Sequence, residues 1–168
     1  MARIPKPVPG LVFRYDFLRS WEYLEGIENG KERPACVLMT LEAGEVIAGT
    51  QVVDEKTGSF AVDYVARQGD VLVLPIQSDR PGPSQAGIEL SANTRRLIGL
   101  PPDRLSYVIV SEVNIDGWPN AGIKALPNRK GSFAYPGLMP PPIMAAIARA
   151  FLDLRARKLV TGLRRRKS

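Results

Sequence analysis

Two short runs, "PACVLMTL" at residues 34–41 and "DVLVLPI" at residues 70–76, are apolar at nearly every position. An alternating strand needs cover on one side only, whereas a run without a polar side must be covered on both. Each run is shorter than an ordinary helix and is flanked by charged residues, Gly or Pro. Both therefore read as strands at the centre of a sheet or barrel.

"LVFRYDFL", residues 11–18, alternates: Leu11, Phe13, Tyr15 and Phe17 face one way, Arg14 and Asp16 the other. "LSYVIVSEVNI", residues 105–115, is the most strand-like run in the chain. "EVIAGTQVVDEKTGSFAVDYVA" holds two β-rich pieces around "DEKTG", which reads as a hairpin, and "IEL" is a short strand. "SWEYLEGIENGKE", "QSDRPGPSQAG" and residues 116–139 read as loops, and the proline-rich first ten residues as an extended arm. "SANTRRLIGL" opens on a Ser cap and ends before Pro101 and Pro102, as a short helix does. "PPPIMAAIARAFLDLRARKLV" predicts a helix from 141 to about 159. Ile143, Ile147, Phe151 and Leu154 share its apolar side, and Ala145, Arg149, Asp153 and Arg157 lie off it. The pattern is mainly β with a C-terminal α-helix. It predicts a single domain over residues 1–168, built as a small barrel packed by that helix.

The 168 residues contain no histidine, which excludes Ser-His-Asp triads, Cys-His dyads and imidazole metal sites. There is no CxxC, HExxH or Gly-rich phosphate loop, and neither a metal nor a cofactor is expected. Cys36, the single cysteine, reads as a small buried hydrophobe in a reducing cytoplasm. No apolar stretch approaches the roughly 18 residues of a membrane span. "MARIPKPVPG" lacks the apolar segment of a secretory signal. From Arg155 onward stand seven cationic residues and no acid, more than the net +6 of the whole chain. This basic C-terminal tail, about 155–168, is read as attracting nucleic acid or, equally, as a solvated end that aids solubility.

In "ENGKERPACVL", Pro34 disfavours helical backbone at Arg33 and holds it extended. A guanidinium anchored this way at a loop edge offers a rigid fork suited to phosphate. The plainer reading pairs Arg33 with Glu28 or Glu32.

Several short strings occur here in a familiar order: "GLVF" at 10–13, "KERPACVL" with Glu28 five residues before Arg33, "VLVLPIQS", and "YVIVSEVN" with Ser111, Glu112 and Val113. This ordered set resembles the MazF/PemK family of toxin ribonucleases. "RRLIGL", "SYVIVSEVNIDGWP" and "YPGLMP" look closest to a divergent PemK-like branch. The resemblance spans nearly the whole chain except residues 42–70, which look like an insertion.

The resemblance implies an SH3-like β-barrel, a homodimer and an antitoxin partner. The doubly apolar strands point the same way, to apolar surface shared with a second copy. It also implies metal-independent cleavage of single-stranded RNA. Arg33 would stabilise the phosphate, Glu28 and Glu112 are the candidate bases, and Ser78 would donate to a phosphate oxygen. Gln77, Arg80, Ser111 and Asn114 would contact the RNA. The chain departs from the family pattern at three of these positions. Gln77 stands where a catalytic Ser or Thr is usual, Asn114 where a basic residue is frequent, and Ser111 where a catalytic acid is frequent. The alternative is therefore a barrel of this kind that binds nucleic acid or a protein without cleaving. A third reading is a toxin with another target, such as gyrase, as for the related CcdB barrels.

Overall fold

In the computed structural model, which describes residues 3–129 and 131–165, the two doubly apolar runs are neighbouring central strands. In chain order the elements are β1 (Val12–Phe17), α1 (Ser20–Leu24), β2 (Lys31–Thr40), β3 (Val46–Ile47), β4 (Gln51–Asp54), β5 (Phe60–Ala61) and β6 (Tyr64–Val65). There follow β7 (Val71–Gln77), β8 (Gly87–Glu89), α2 (Ala92–Ile98), β9 (Tyr107–Ile109), β10 (Glu112–Asp116), β11 (Ile123–Lys124), α3 (Pro141–Ala156) and β12 (Thr161–Arg164). Ten strands join one mixed sheet along the path β11-β1-β2-β7-β10-β12-β4-β5, with β9 pairing the end of β7 and β8 beyond it. The end strands β11 and β5 do not pair with each other, so the sheet is not closed as a barrel. β3 and β6 form a separate two-stranded sheet.

Alternation along β2 and β7 divides their side chains between two cores. Cys36, Leu38, Leu72, Leu74 and Ile76 enter one; Ala35, Val37, Val71 and Val73 enter the other. Helix α3 covers the first with Ile147 and Phe151, both fully buried. Phe13, Tyr15 and Phe17 of β1 fill the second, and Trp118, Phe133 and Ala134 close it. Trp118 meets Phe13 edge-on, with ring centroids 5.1 Å apart. Its indole N–H donates to the Pro5 carbonyl at 2.9 Å, which ties down the N-terminal arm. Both apolar sides are thus covered within the chain, and they no longer argue for a second copy. Burial pushes the Cys36 thiol up to about 12, as its apolar setting requires.

Both expected helices form. Ser91 accepts from the Thr94 N–H at 3.1 Å to cap α2. Gly99 closes it at φ +104°, a conformation that side chains with a Cβ rarely adopt. The "DEKTG" hairpin pairs β4 with β5. Other expectations need correction. "SWEYL" is the helix α1, its first backbone donors fixed by Glu22 and Glu112. Residues 105–115 break at Ser111 into β9 and β10, which pair with opposite ends of β7. Residues 116–139 contribute the edge strand β11. Within the 42–70 segment, β4 lies in the main sheet beside β12, and β3 pairs with β6.

The largest correction concerns the basic tail. Residues 161–164 form β12, parallel to β10 on one side and to β4 on the other. Arg165 follows with a relative exposure of 1%. Its guanidinium donates to Glu55 Oε1 at 3.1 Å, to Asn114 Oδ1 at 3.1 Å and to the Asp16 carbonyl, and it lies 5.9 Å from the Tyr15 ring centroid. Burial alone would lower its pKa, but Tyr15, Glu55 and Asp16 outweigh that and raise it. Arg164 pairs with Asp70 at 3.2 Å and receives support from the Tyr64 hydroxyl at 3.0 Å. Arg166 and Lys167 lie outside the described residues.

Removing one member of a buried charge network typically costs about 3–5 kcal/mol, because its partners stay buried. Arg165→Ala should therefore lower unfolding stability by about that amount in urea titrations. A loss below about 1 kcal/mol, as for a solvated tail, would contradict the network. Asp116 gives a second test. Burial raises its pKa from 3.8 to about 6, against the hydrogen bond from Tyr15 and the attraction of Arg165 and Arg164. Between those values the folded chain holds a proton that the unfolded chain has released. Stability from this group is full below pH 4 and is lost as pH rises through 6, on the order of 3 kcal/mol. Melting across pH 4.5 to 7 should show the decline, and Asp116→Asn should flatten it.

Candidate phosphate-binding cavity

The β1–β2 ladder pairs Arg14 with Pro34 and Tyr15 with Arg33, and the β2–β7 ladder pairs Ala35 with Pro75. Arg33 is therefore a paired strand residue and not a loop-edge one. Its neighbours across the sheet are the last residues of β7. Here a cavity of about 360 Å³ opens, lined by Arg14, Lys31, Glu32, Arg33, Gln77, Ser78, Asp79, Arg104, Ser106 and Tyr135, with Leu100, Pro101 and Leu105 as apolar wall. Four cations face two carboxylates.

Arg33 is half-buried, and its pKa is lowered by burial first and then by the like charge of Arg19; Glu22 and Asp79 act the other way. Arg19 lies at the start of α1 and donates to Gln77 Oε1 at 2.9 Å. The Nε of each arginine is buried without a hydrogen-bond partner among the described residues. Arg19 also lies 3.6 Å from the Glu22 carboxylate, so Arg33, which lines the cavity, is the guanidinium of the two left for an external anion. Gln77 also donates to the Asp79 carbonyl at 3.0 Å and exchanges hydrogen bonds with the Gln85 amide at 3.2 and 3.3 Å. These bonds hold the 78–86 loop at the rim.

The structure brings together Arg33, Gln77 and Ser78, but not the other expected residues. Glu28 is exposed and does not line the cavity, and the same holds for Arg80. Glu112 is buried, accepting from the Ser20 N–H at 2.6 Å and from the Thr161 hydroxyl. Burial pushes its pKa up, opposed by those hydrogen bonds. Ser111 Oγ accepts from the Ala86 N–H at 3.0 Å. Asn114 is fully buried and exchanges hydrogen bonds with the Leu18 backbone at 3.2 and 2.7 Å. Asn114 holds β10 to the end of β1, and Glu112 holds α1 to β12. Neither lines the cavity.

Sequence reasoning missed Arg14, Arg19, Lys31, Arg104 and Tyr135. The alternation of "LVFRYDFL" set Arg14 apart from the second core, a usable signal. Nothing local marked Arg104 or Tyr135, which arrive through loops. Among the described residues there is no group of three or more Cys, Asp or Glu able to hold a metal, and no helix long and apolar enough to cross a membrane. No protein-family model, curated protein or solved structure matches the chain.

If Glu112 is a structural tie, Glu112→Ala leaves two donors unsatisfied and should lower stability by about 1–3 kcal/mol. Glu28→Ala should stay within about 0.5 kcal/mol of the parent. Equal, negligible effects in thermal melts would remove Glu112 from that role.

Proposed function

We propose that this chain binds single-stranded RNA through the basic cavity, as a MazF/PemK-like, SH3-like fold that does not cleave its ligand. The observation that carries this reading is Arg33, half-buried and without a salt bridge among the described residues, in a cavity it shares with Arg14, Lys31 and Arg104. Arginine serves phosphate binding and is too basic to shuttle protons near neutral pH. The candidate bases Glu28 and Glu112 lie away from the cavity, which speaks for binding over cleavage. The cytoplasmic setting, an antitoxin-like partner and a homodimer belong to the same reading.

The endoribonuclease remains the second reading, favoured by one observation: Arg33, Ser78 and the Asp79 carboxylate line the same cavity. End-labelled single-stranded RNA, incubated with the chain and run on a denaturing gel, separates the two. Intact RNA that shifts in a native gel supports binding alone; discrete fragments that vanish with Arg33→Ala support cleavage.

Fluorescence anisotropy tests the site itself. Arg33→Ala and Arg33→Gln should each weaken RNA binding about tenfold or more, as expected for one charge-assisted contact. The slope of log affinity against log salt should flatten by about 0.7. Unchanged affinity and slope in both folded variants would move RNA binding away from this cavity.

A further inference from the structure

The cavity is lined by two groups of segments, each held by its own backbone ties. On one side, the β1–β2 and β2–β7 ladders bring Lys31 and Arg33 beside Gln77 and Ser78. On the other, the segment carrying Tyr135 is clamped between β1 and the end of α2. The Tyr135 N–H donates to the Val12 carbonyl at 2.8 Å, and the Gly137 N–H to the Ile98 carbonyl at 3.0 Å. Gly99 packs so closely on Pro136 that a Cβ there would lie 2.8 Å from its ring. Tyr135, Leu100, Pro101 and Leu105 are thus the apolar part of the lining, with Arg104 among them, in the same cavity as Lys31 and Arg33. The Tyr135 hydroxyl has no hydrogen-bond partner among the described residues, and Leu105 is 43% exposed.

From this combination of apolar and cationic lining we infer that the cavity seats one nucleotide unit, its base against Tyr135 and Leu105 and its phosphate on Arg33. The inference rests on the RNA-binding reading and adds what the site recognises: a base and a phosphate together, not backbone charge alone. Size agrees with a single unit. About 360 Å³ is near the lower end of ligand pockets, roughly 300–1,000 Å³. An aromatic surface accepts any base, because every base has a π-face, so stacking here contributes affinity with little sequence preference. Gln77 is already committed to Arg19 and Gln85, which agrees with weak reading of the base edge.

The test is direct titration of the full chain by calorimetry with adenosine 5′-monophosphate, uridine 5′-monophosphate, ribose 5-phosphate and inorganic phosphate. Both nucleotides should bind at least about tenfold more tightly than ribose 5-phosphate or phosphate. Tyr135→Ala should remove about tenfold from nucleotide affinity, in line with loss of one base stack, and leave phosphate binding unchanged. Tyr135→Phe should keep wild-type affinity within about twofold. Tyr135 also packs on the first core. Leu105→Ala, at an exposed position, is therefore the second variant, expected to weaken nucleotides about threefold without touching the melting temperature. Equal affinities for the nucleotides and ribose 5-phosphate would overturn the inference, as would wild-type nucleotide binding in both wall variants, even with RNA binding intact. Nucleotide binding without any RNA shift would instead retain the inference and remove the RNA reading.

Discussion

The buried guanidinium of Arg165 is the interaction on which the other half of the sheet depends. A charge taken out of water must be met by its surroundings, and here Glu55, Asn114 and the Asp16 carbonyl accept from its Nε and Nη1, with the Asp16 carboxylate 3.8 Å from Nη2 and the Tyr15 ring beside it. Those four residues come from β1, β10 and the segment after β4. With Arg165 in place, β12 is fixed between β10 and β4 and extends the ladder to β5. Arg164 repeats the arrangement one residue earlier with Asp70, Asp116 and Tyr64. The apolar cores make the sheet compact, and this polar seam decides which strands stand next to one another.

The seam and the cavity divide the molecule's cationic residues by role. Arg164 and Arg165 meet buried carboxylates and contribute to structure. Arg33 has no salt bridge among the described residues, and after burial the charge that lowers its pKa is another arginine, Arg19. A guanidinium left in that position retains binding capacity for an external anion. The net charge of +6 describes neither role, because location separates them.

Much of the fold was legible because it is encoded over short distances. Uninterrupted apolar runs marked β2 and β7, alternation marked β1, and Ser91 and Pro141 marked the starts of α2 and α3. The tail was not legible. "TGLRRRKS" has too few apolar residues to read as a strand, and its place between β10 and β4 depends on acids scattered from Asp16 to Asp116. Arg33 was visible through Pro34, yet the rest of the cavity depends on which loops fold over it. Glu112 and Asn114 entered as candidate site residues only through the resemblance of "YVIVSEVN" to the family's late strand. Here their polarity serves backbone groups of α1 and β1.

The position of β12 also governs when the sheet can be completed. Glu55 and Arg165 are separated by 110 residues, and β4 has no other partner than β5 until β12 arrives. Contacts this distant in the chain must overcome a large loop-closure entropy, and folds rich in them assemble in milliseconds to seconds. During synthesis, β4 and β5 leave the ribosome long before the strand that joins them to the rest. They wait as a lone hairpin with an open edge, exposed to pairing with other chains. The open side of β4, like that of β10, is therefore left to aggregation or to a chaperone until β12 occupies it.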